Sequence, residues 1–181
     1  MVQTHNTTLE EYLRFIALPE NDGRRFEYVE GEITEVVSNN YCSLIAARIL
    51  GRVIAYVEDR DLGYIMGADG GFQVGEDRYI PDVSFISKKR QLTPPHDTFN
   101  PNPPDLAVEV LSPTDRPRIV RTKIHNYTAA GTVVWVVDPE AKMVEVYTSG
   151  QPAKTLHLND TLDGGAVLPG FTLAMRDIFA E

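Results

Sequence analysis

The order of apolar and polar positions divides the chain into alternating helical and extended segments. Leu9, Tyr12, Leu13 and Ile16 recur at helical spacing behind Thr7 and Thr8, and Thr7 with Glu10, or Thr8 with Glu11, has the spacing of a capping box. Phe26 to Val29 and Ile33 to Val37 flank Glu30-Gly31 and predict a hairpin. Residues 42 to 57 carry Ile45, Ile49, Val53 and Tyr56 at helical spacing. Gly63 to Val74, with Gly67, Gly70 and Gly71, predicts two short strands around a turn. Tyr79 to Ile86 predicts a strand with Pro81 confined to its start or edge, because proline has no N–H for a ladder. Residues 91 to 104 hold Pro94, Pro95, Pro101, Pro103 and Pro104 and predict a long loop.

Leu106 to Leu111 is an apolar strand interrupted by Glu109. A turn at Ser112-Pro113 leads to a helix from about Pro117 to Ala130, ended by Gly131. Val133 to Val137 is almost wholly apolar, as a strand covered on both faces is. Asp138-Pro139 turns the chain into a strand at Val144 to Tyr147, and the tail has turns at Gly164-Gly165 and Pro169-Gly170 before the apolar Ile178-Phe179. This order predicts an α/β or α+β fold, a mixed sheet flanked by helices, in a single domain over residues 1–181. The strand–helix–strand unit from Leu106 to Val137 is a parallel crossover, right-handed by the usual rule.

Composition narrows the function classes. Of 181 residues, 43% are apolar and 24% charged, which excludes a disordered or collagen-like chain. No apolar run approaches the length of a membrane span, and the polar stretch Met1 to Leu9 does not read as a secretory signal. One cysteine, Cys42, supports neither a disulfide framework nor a thiolate metal cluster, so the expected compartment is the cytoplasm. A net charge of −9 argues against passive coating of nucleic acid and leaves open a locally basic cleft.

Three residues break the apolar pattern in ways that suggest chemistry. Glu109 interrupts what is otherwise a central strand, where a carboxylate is costly unless a cation or donors compensate it. It reads equally as a strand-end residue facing solvent or held by an arginine. Asp82, between Pro81 and Val83, reads equally as a turn residue. Lys123 is the most informative. At 100° per residue, Ile119, Val120, Ile124, Tyr127 and Ala130 form one helical arc with Lys123 near its middle, while Arg118, Arg121 and His125 lie opposite. A snorkelling lysine belongs at the edge of such an arc; a central one points toward the sheet and wants a carboxylate or phosphate. Two acids and an inward lysine suit metal-assisted phosphodiester hydrolysis, with carboxylates holding Mg²⁺ and the lysine adding positive charge at the phosphate. Lys88, Lys89 and Arg90 after the Asp82 strand, and Arg116, Arg118 and Arg121 on or beside the lysine helix, fit phosphate contacts, or ordinary solvated charge. His5, His96, His125 and His157 show no pair at ligand spacing.

Pro81-Asp82, then Glu109 on an apolar strand, then a lysine resembles the PD-(D/E)XK restriction-endonuclease-like superfamily, in the branch whose lysine has moved to the following helix. More narrowly, the chain resembles the Uma-type endonucleases through residues 26–33 (FEYVEGEI), Pro81-Asp82-Val83, residues 104–113 (PDLAVEVLSP), Lys123 with Tyr127, Ala130-Gly131 and residues 135–139 (WVVDP). These matches span most of the chain, and the Glu-Val-Leu-Ser-Pro segment with a lysine 14 residues after the Glu is fairly specific. The resemblance implies a restriction-endonuclease-like fold and metal-dependent hydrolysis of DNA. It makes Asp82 and Glu109 metal ligands, with the backbone carbonyl of Val110, and Lys123 the catalytic lysine. Glu27 becomes an acid near the site, although it reads equally as a solvated hairpin glutamate. The implied cofactor is Mg²⁺ with Mn²⁺ as a substitute, and the implied partners are DNA and a second copy in a homodimer.

Cys42 stands where the family often has His, and Ile119 where it commonly has Asp. These departures keep alive a second reading, a catalytically inactive nuclease-fold module that binds nucleic acid or protein. A third reading is a structural domain with a Lys123–Glu109 salt bridge.

Overall fold

The computed structural model describes residues 6–180; the start of the polar N-terminus and His5 lie outside them. Helix α1 (Leu9–Ile16) begins at the Thr8–Glu11 capping box, in which the Glu11 carboxylate accepts from the Thr8 N–H at 2.7 Å and the Thr8 hydroxyl oxygen accepts from the Glu11 N–H at 3.2 Å. Its one buried residue, Tyr12, donates to the Phe26 carbonyl at 2.7 Å and ties the helix to strand β1 (Phe26–Val29). β1 pairs with β2 (Glu32–Glu35) around Glu30 and Gly31, which have φ of 48° and 82°. Two successive positive φ values are what a two-residue hairpin turn needs, and the non-glycine Glu30 is held there by its N–H donating to Asp77 Oδ1 at 2.9 Å.

Helix α2 (Asn40–Asp59) is capped by the Asn39 side chain, which accepts from the Tyr41 and Cys42 N–H groups. Eight strands and one further helix complete the centre: β3 (Gly63–Gly67), β4 (Gly71–Val74), β5 (Asp77–Tyr79), β6 (Val83–Ser87), β7 (Phe99–Asn100), β8 (Leu106–Val110), α3 (Pro117–Ala129), β9 (Val133–Asp138) and β10 (Met143–Tyr147). The C-terminal part adds β11 (Lys154–Leu156), β12 (Thr161–Asp163), β13 (Thr172–Ala174) and α4 (Met175–Ile178). The strands form a five-stranded sheet ordered β2-β1-β5-β4-β7, a six-stranded sheet ordered β11-β10-β9-β8-β6-β3, and the β12-β13 pair. β8 and β9 are parallel, joined through α3, and the other pairs of the larger sheet are antiparallel.

Three expectations change. The two short strands of Gly63 to Val74 exist but do not pair with each other: β3 joins the larger sheet and β4 the smaller. The single strand expected over Tyr79 to Ile86 is split at residues 80–82. Pro81 has no N–H to continue a ladder, the Ile80 N–H donates to Glu27 instead, and the chain passes from one sheet to the other. The proline-rich loop contains a short strand, β7, parallel to β4. The tail also holds more regular structure than its turns suggest, because Leu162, Leu168, Phe171 and Met175 are buried against α2 and the larger sheet.

Side-chain alternation on the larger sheet sets the position of the chemistry. Leu106, Val108 and Val110 of β8, with Trp135 and Val137 of β9, pack with Ile45, Ile49 and Val53 of α2. Ala107, Val134 and Val136 face the other way, onto Ile119 and Tyr127 of α3. Glu109 shares the parity of Ala107, so period-two alternation puts its side chain on the α3 face.

Candidate active site

Four side chains from four parts of the chain meet under the α3 face. Asp82 precedes β6, one step beyond the Val83–Val108 pair, and therefore lies across from Glu109. Its Oδ2 accepts from the Val110 N–H at 2.7 Å. Lys123 is 7% exposed, at the centre of the inward face between Ile119 and Tyr127. Its Nζ donates to Glu109 Oε2 at 2.6 Å and to Glu27 Oε1 and Oε2 at 2.8 and 3.1 Å. Glu27 comes from the other sheet and also accepts from the Ile80 N–H at 2.7 Å. At 5% exposed, it is not a solvated hairpin glutamate.

These groups form the floor of a cleft of about 240 Å³, with walls that include Thr34 to Ser38, Ser112, Thr114 to Arg116, Ile119 and Val120. Five lining residues are acidic (Glu27, Glu35, Asp82, Glu109 and Asp115) and two are basic, Arg116 and Lys123.

The electrostatics follow from burial and crowding. Burial pushes the Asp82 carboxyl up, against the Val110 N–H and the Lys123 ammonium, which pull it down. Burial pushes Glu109 up to about 8, and the Glu27 and Asp82 carboxylates add to this against the pull of Lys123. For Lys123, burial disfavours the charge, but Glu109 and Glu27 outweigh it and hold the ammonium above the ordinary lysine range. Lys123 is therefore a fixed cation and hydrogen-bond donor near neutral pH.

The sequence named Tyr127 only as part of a motif; the structure gives it a task. Its hydroxyl donates to Glu109 Oε1 at 3.1 Å, while Lys123 engages Oε2. Each carboxylate oxygen keeps lone-pair capacity for a further contact. The signal was legible as spacing: Tyr127 follows Lys123 by four residues on the same helical face.

The expected phosphate contacts separate into two groups. Lys88, Lys89 and Arg90 follow the end of β6 opposite Asp82, and none lines the cleft. Lys88 pairs with Asp61. Arg90 pairs with Asp105 at 3.0 Å and donates to the Pro103 carbonyl, bracing the start of β8. Nearness in sequence to Asp82 misled here, because an extended strand of five residues carries the chain about 15 Å away. Arg116 lines the cleft and Arg118 does not, although both engage Glu32; Arg118 and Arg121 are exposed. Val110 lines the cleft, and its amide orients Asp82. Cys42 is buried, its thiol pushed up by burial and donating to the Leu111 carbonyl at 3.3 Å, which leaves no nucleophile there. Ile119 lines the cleft as an apolar residue and adds no carboxylate.

Among the described residues, no helix is long and apolar enough to cross a membrane. No curated protein matches the chain. A solved structure described as a putative nuclease belonging to DUF820 from Anabaena variabilis is similar with a TM-score of 0.82 at 22% identity, over 95% of this chain and 97% of that one. The shared fold is the restriction-endonuclease-like one that the motif order implied. The family model Uma2, described as "Putative restriction endonuclease", matches residues 9–176, a span that includes all four residues of the cluster, and the chain therefore belongs to the Uma2 family.

Proposed function

We propose that the protein is a Mg²⁺-dependent endodeoxyribonuclease that hydrolyses DNA phosphodiester bonds at the cluster of Glu27, Asp82, Glu109 and Lys123. One observation carries this reading: three carboxylates and a single ammonium converge on the floor of a solvent-open cleft. A structural ion pair needs one acid for one lysine. Here, with all three acids ionised, a largely buried site holds two more negative charges than Lys123 neutralises. A divalent cation relieves that excess, and the membership of a family described as restriction endonucleases agrees with it.

The donor set suits a hard cation. Among the described residues no three His, Cys, Asp or Glu side chains are grouped to hold a metal. The side chains available are thus the two carboxylates of Asp82 and Glu109, to which the family resemblance adds the Val110 backbone carbonyl. Mg²⁺ is commonly bound in this way, through one or two carboxylates, retained waters and a substrate phosphate oxygen. Mn²⁺ accepts the same oxygen donors. When bound, such an ion supplies an acidified water and offsets charge on the scissile phosphate.

The chain's own residues then have distinct tasks. Asp82 is oriented by the Val110 N–H and Glu109 by Tyr127. Lys123, kept protonated, donates to the phosphate oxygens on which charge accumulates and does not act as the base. Glu27 is a positioning residue that anchors Lys123 and the Ile80 amide at the corner between the sheets.

Cleavage of supercoiled, linear and single-stranded DNA with Mg²⁺ or Mn²⁺ tests the reading, beside EDTA, Glu109→Ala and Lys123→Ala controls. Metal-dependent cutting that both substitutions abolish is expected. No cutting on any substrate, with no heat of metal binding by calorimetry, would overturn it in favour of a noncatalytic binding module.

A further inference from the structure

The β1–β2 hairpin places the Glu32 carboxylate against two arginines at the start of α3. Arg116, the residue that precedes α3, and Arg118 in its first turn both donate to the Glu32 carboxylate, one to each oxygen. Arg116 also donates to the Thr34 hydroxyl at 2.9 Å, and Arg118 has Glu30 at 3.8 Å. Two guanidinium groups on one pair of oxygens is the geometry by which arginines grip a phosphate.

Three observations make Glu32 a replaceable occupant. The arginine side chains are 51% and 60% exposed and that of Glu32 33%, so solvent screens the pairs and they hold the fold only weakly. Arg116 is, with Lys123, one of two basic residues lining an otherwise acidic cleft, and Lys123 is already engaged. Seven residues separate them, about 10 Å of helix axis, or roughly three nucleotides along one strand.

We propose that Arg116 and Arg118 form a subsite for a backbone phosphate flanking the scissile one, and that Glu32 fills it in the free protein as an internal phosphate mimic. This inference rests on the nuclease reading for its substrate class. The entering backbone exchanges one anion for another across the same two guanidinium groups. The hairpin thereby discriminates against weak, isolated anions and yields to a polyanion held at several points.

The test is fluorescence anisotropy of a short labelled DNA duplex, with Ca²⁺ present to occupy the carboxylates. Glu32→Gln is expected to tighten binding about five-fold. Glu58→Gln, the same charge change at the exposed C-terminal end of α2, is expected to alter it less than about two-fold. The gain vanishes when Arg116→Ala and Arg118→Ala are added, and the slope of log affinity against log salt falls by about two. Circular dichroism melts check that each variant is folded, and Glu32→Ala provides a second version of the opening. Equal affinity of wild type and Glu32→Gln, or a gain that persists without the arginines, overturns the inference and leaves the nuclease reading intact. An arginine-dependent gain in a protein that fails the Mg²⁺ and Mn²⁺ cleavage assay overturns the nuclease reading and retains the arginine pair only as a phosphate-binding site masked by Glu32. No binding by either protein overturns both.

Discussion

Replacing Glu109 by Gln separates a catalytic cluster from a structural ion pair by the sign of one stability change. The Glu109 carboxyl is raised from 4.5 to about 8 because it is buried and faces two other carboxylates. A raised value means that the protonated form is the one the fold favours. The stability it contributes is complete below pH 4.5 and is lost as pH rises through about 8. By pH 7 that loss amounts to roughly 3 kcal/mol. Glutamine keeps the shape and does not titrate, so it escapes the loss. Its amide oxygen still accepts from Lys123, whose attraction for the carboxylate is already contained in the value of about 8. The metal-free variant is therefore expected at or above wild-type stability at pH 7, and further above it at pH 9. In a structural pair with no surplus acid, removing one partner costs about 3–5 kcal/mol. For a domain of this size each kcal/mol moves Tm by about 2–4 °C, so a thermal melt resolves the difference. Adding Mg²⁺ should raise Tm for wild type and leave Glu109→Gln unmoved. A fall of 10 °C or so in metal-free Glu109→Gln at pH 7, or an equal Mg²⁺ response in both proteins, would refute the reasoning.

Further expectations rest on other contacts. Lys123→Met leaves three carboxylates without their cation, and urea denaturation at pH 7 should show a loss of about 3–5 kcal/mol that shrinks at pH 5, where the raised carboxyls take up protons. Tyr127→Phe removes the hydroxyl on Glu109 while keeping the ring in the core; kcat should drop about ten-fold with little change in Tm, and an unchanged rate would show that Lys123 alone orients Glu109. Asp82→Asn should abolish the calorimetric heat of Mg²⁺ binding while the Val110 N–H contact persists through the amide oxygen. Thr8→Ala, remote from the cleft, should cost about 1 kcal/mol through the lost cap and leave cleavage untouched.

The surplus of acid over lysine also gives the site an order of events. On the function proposed above, an acidic cleft would repel a polyanion until a cation is bound, which would make metal occupancy a condition for substrate entry. Arg116 and Arg118, paired with Glu32 and, for Arg118, Glu30, would offer little attraction before that point.

Much of the site could be read from one dimension because its signals are local. The inward direction of Lys123 followed from helical periodicity in the residues around it, and α3 buries the expected arc, with Ile119, Lys123 and Tyr127 inside. The face of Glu109 followed from strand alternation, and the parallel β8–α3–β9 unit from the order of elements. The Thr8–Glu11 cap and the Glu30-Gly31 hairpin are equally short-range, set by spacings of a few residues. Distances across the chain were not legible. Glu27 looked as much like a solvated hairpin residue as a site acid until two sheets were brought together at residues 80–82. Its burial against Lys123 depends on that junction and on no pattern near residue 27. Lys88 to Arg90 show the same limit in reverse: adjacent to Asp82 in sequence, they are carried to the far end of the strand and do not line the cleft. The pairing of Glu32 with Arg116 and Arg118 spans more than 80 residues and carries no sequence signature. Periodicity records which way a side chain points from its own backbone. Which groups it meets, and so what charge surrounds it, is decided only when distant segments pack.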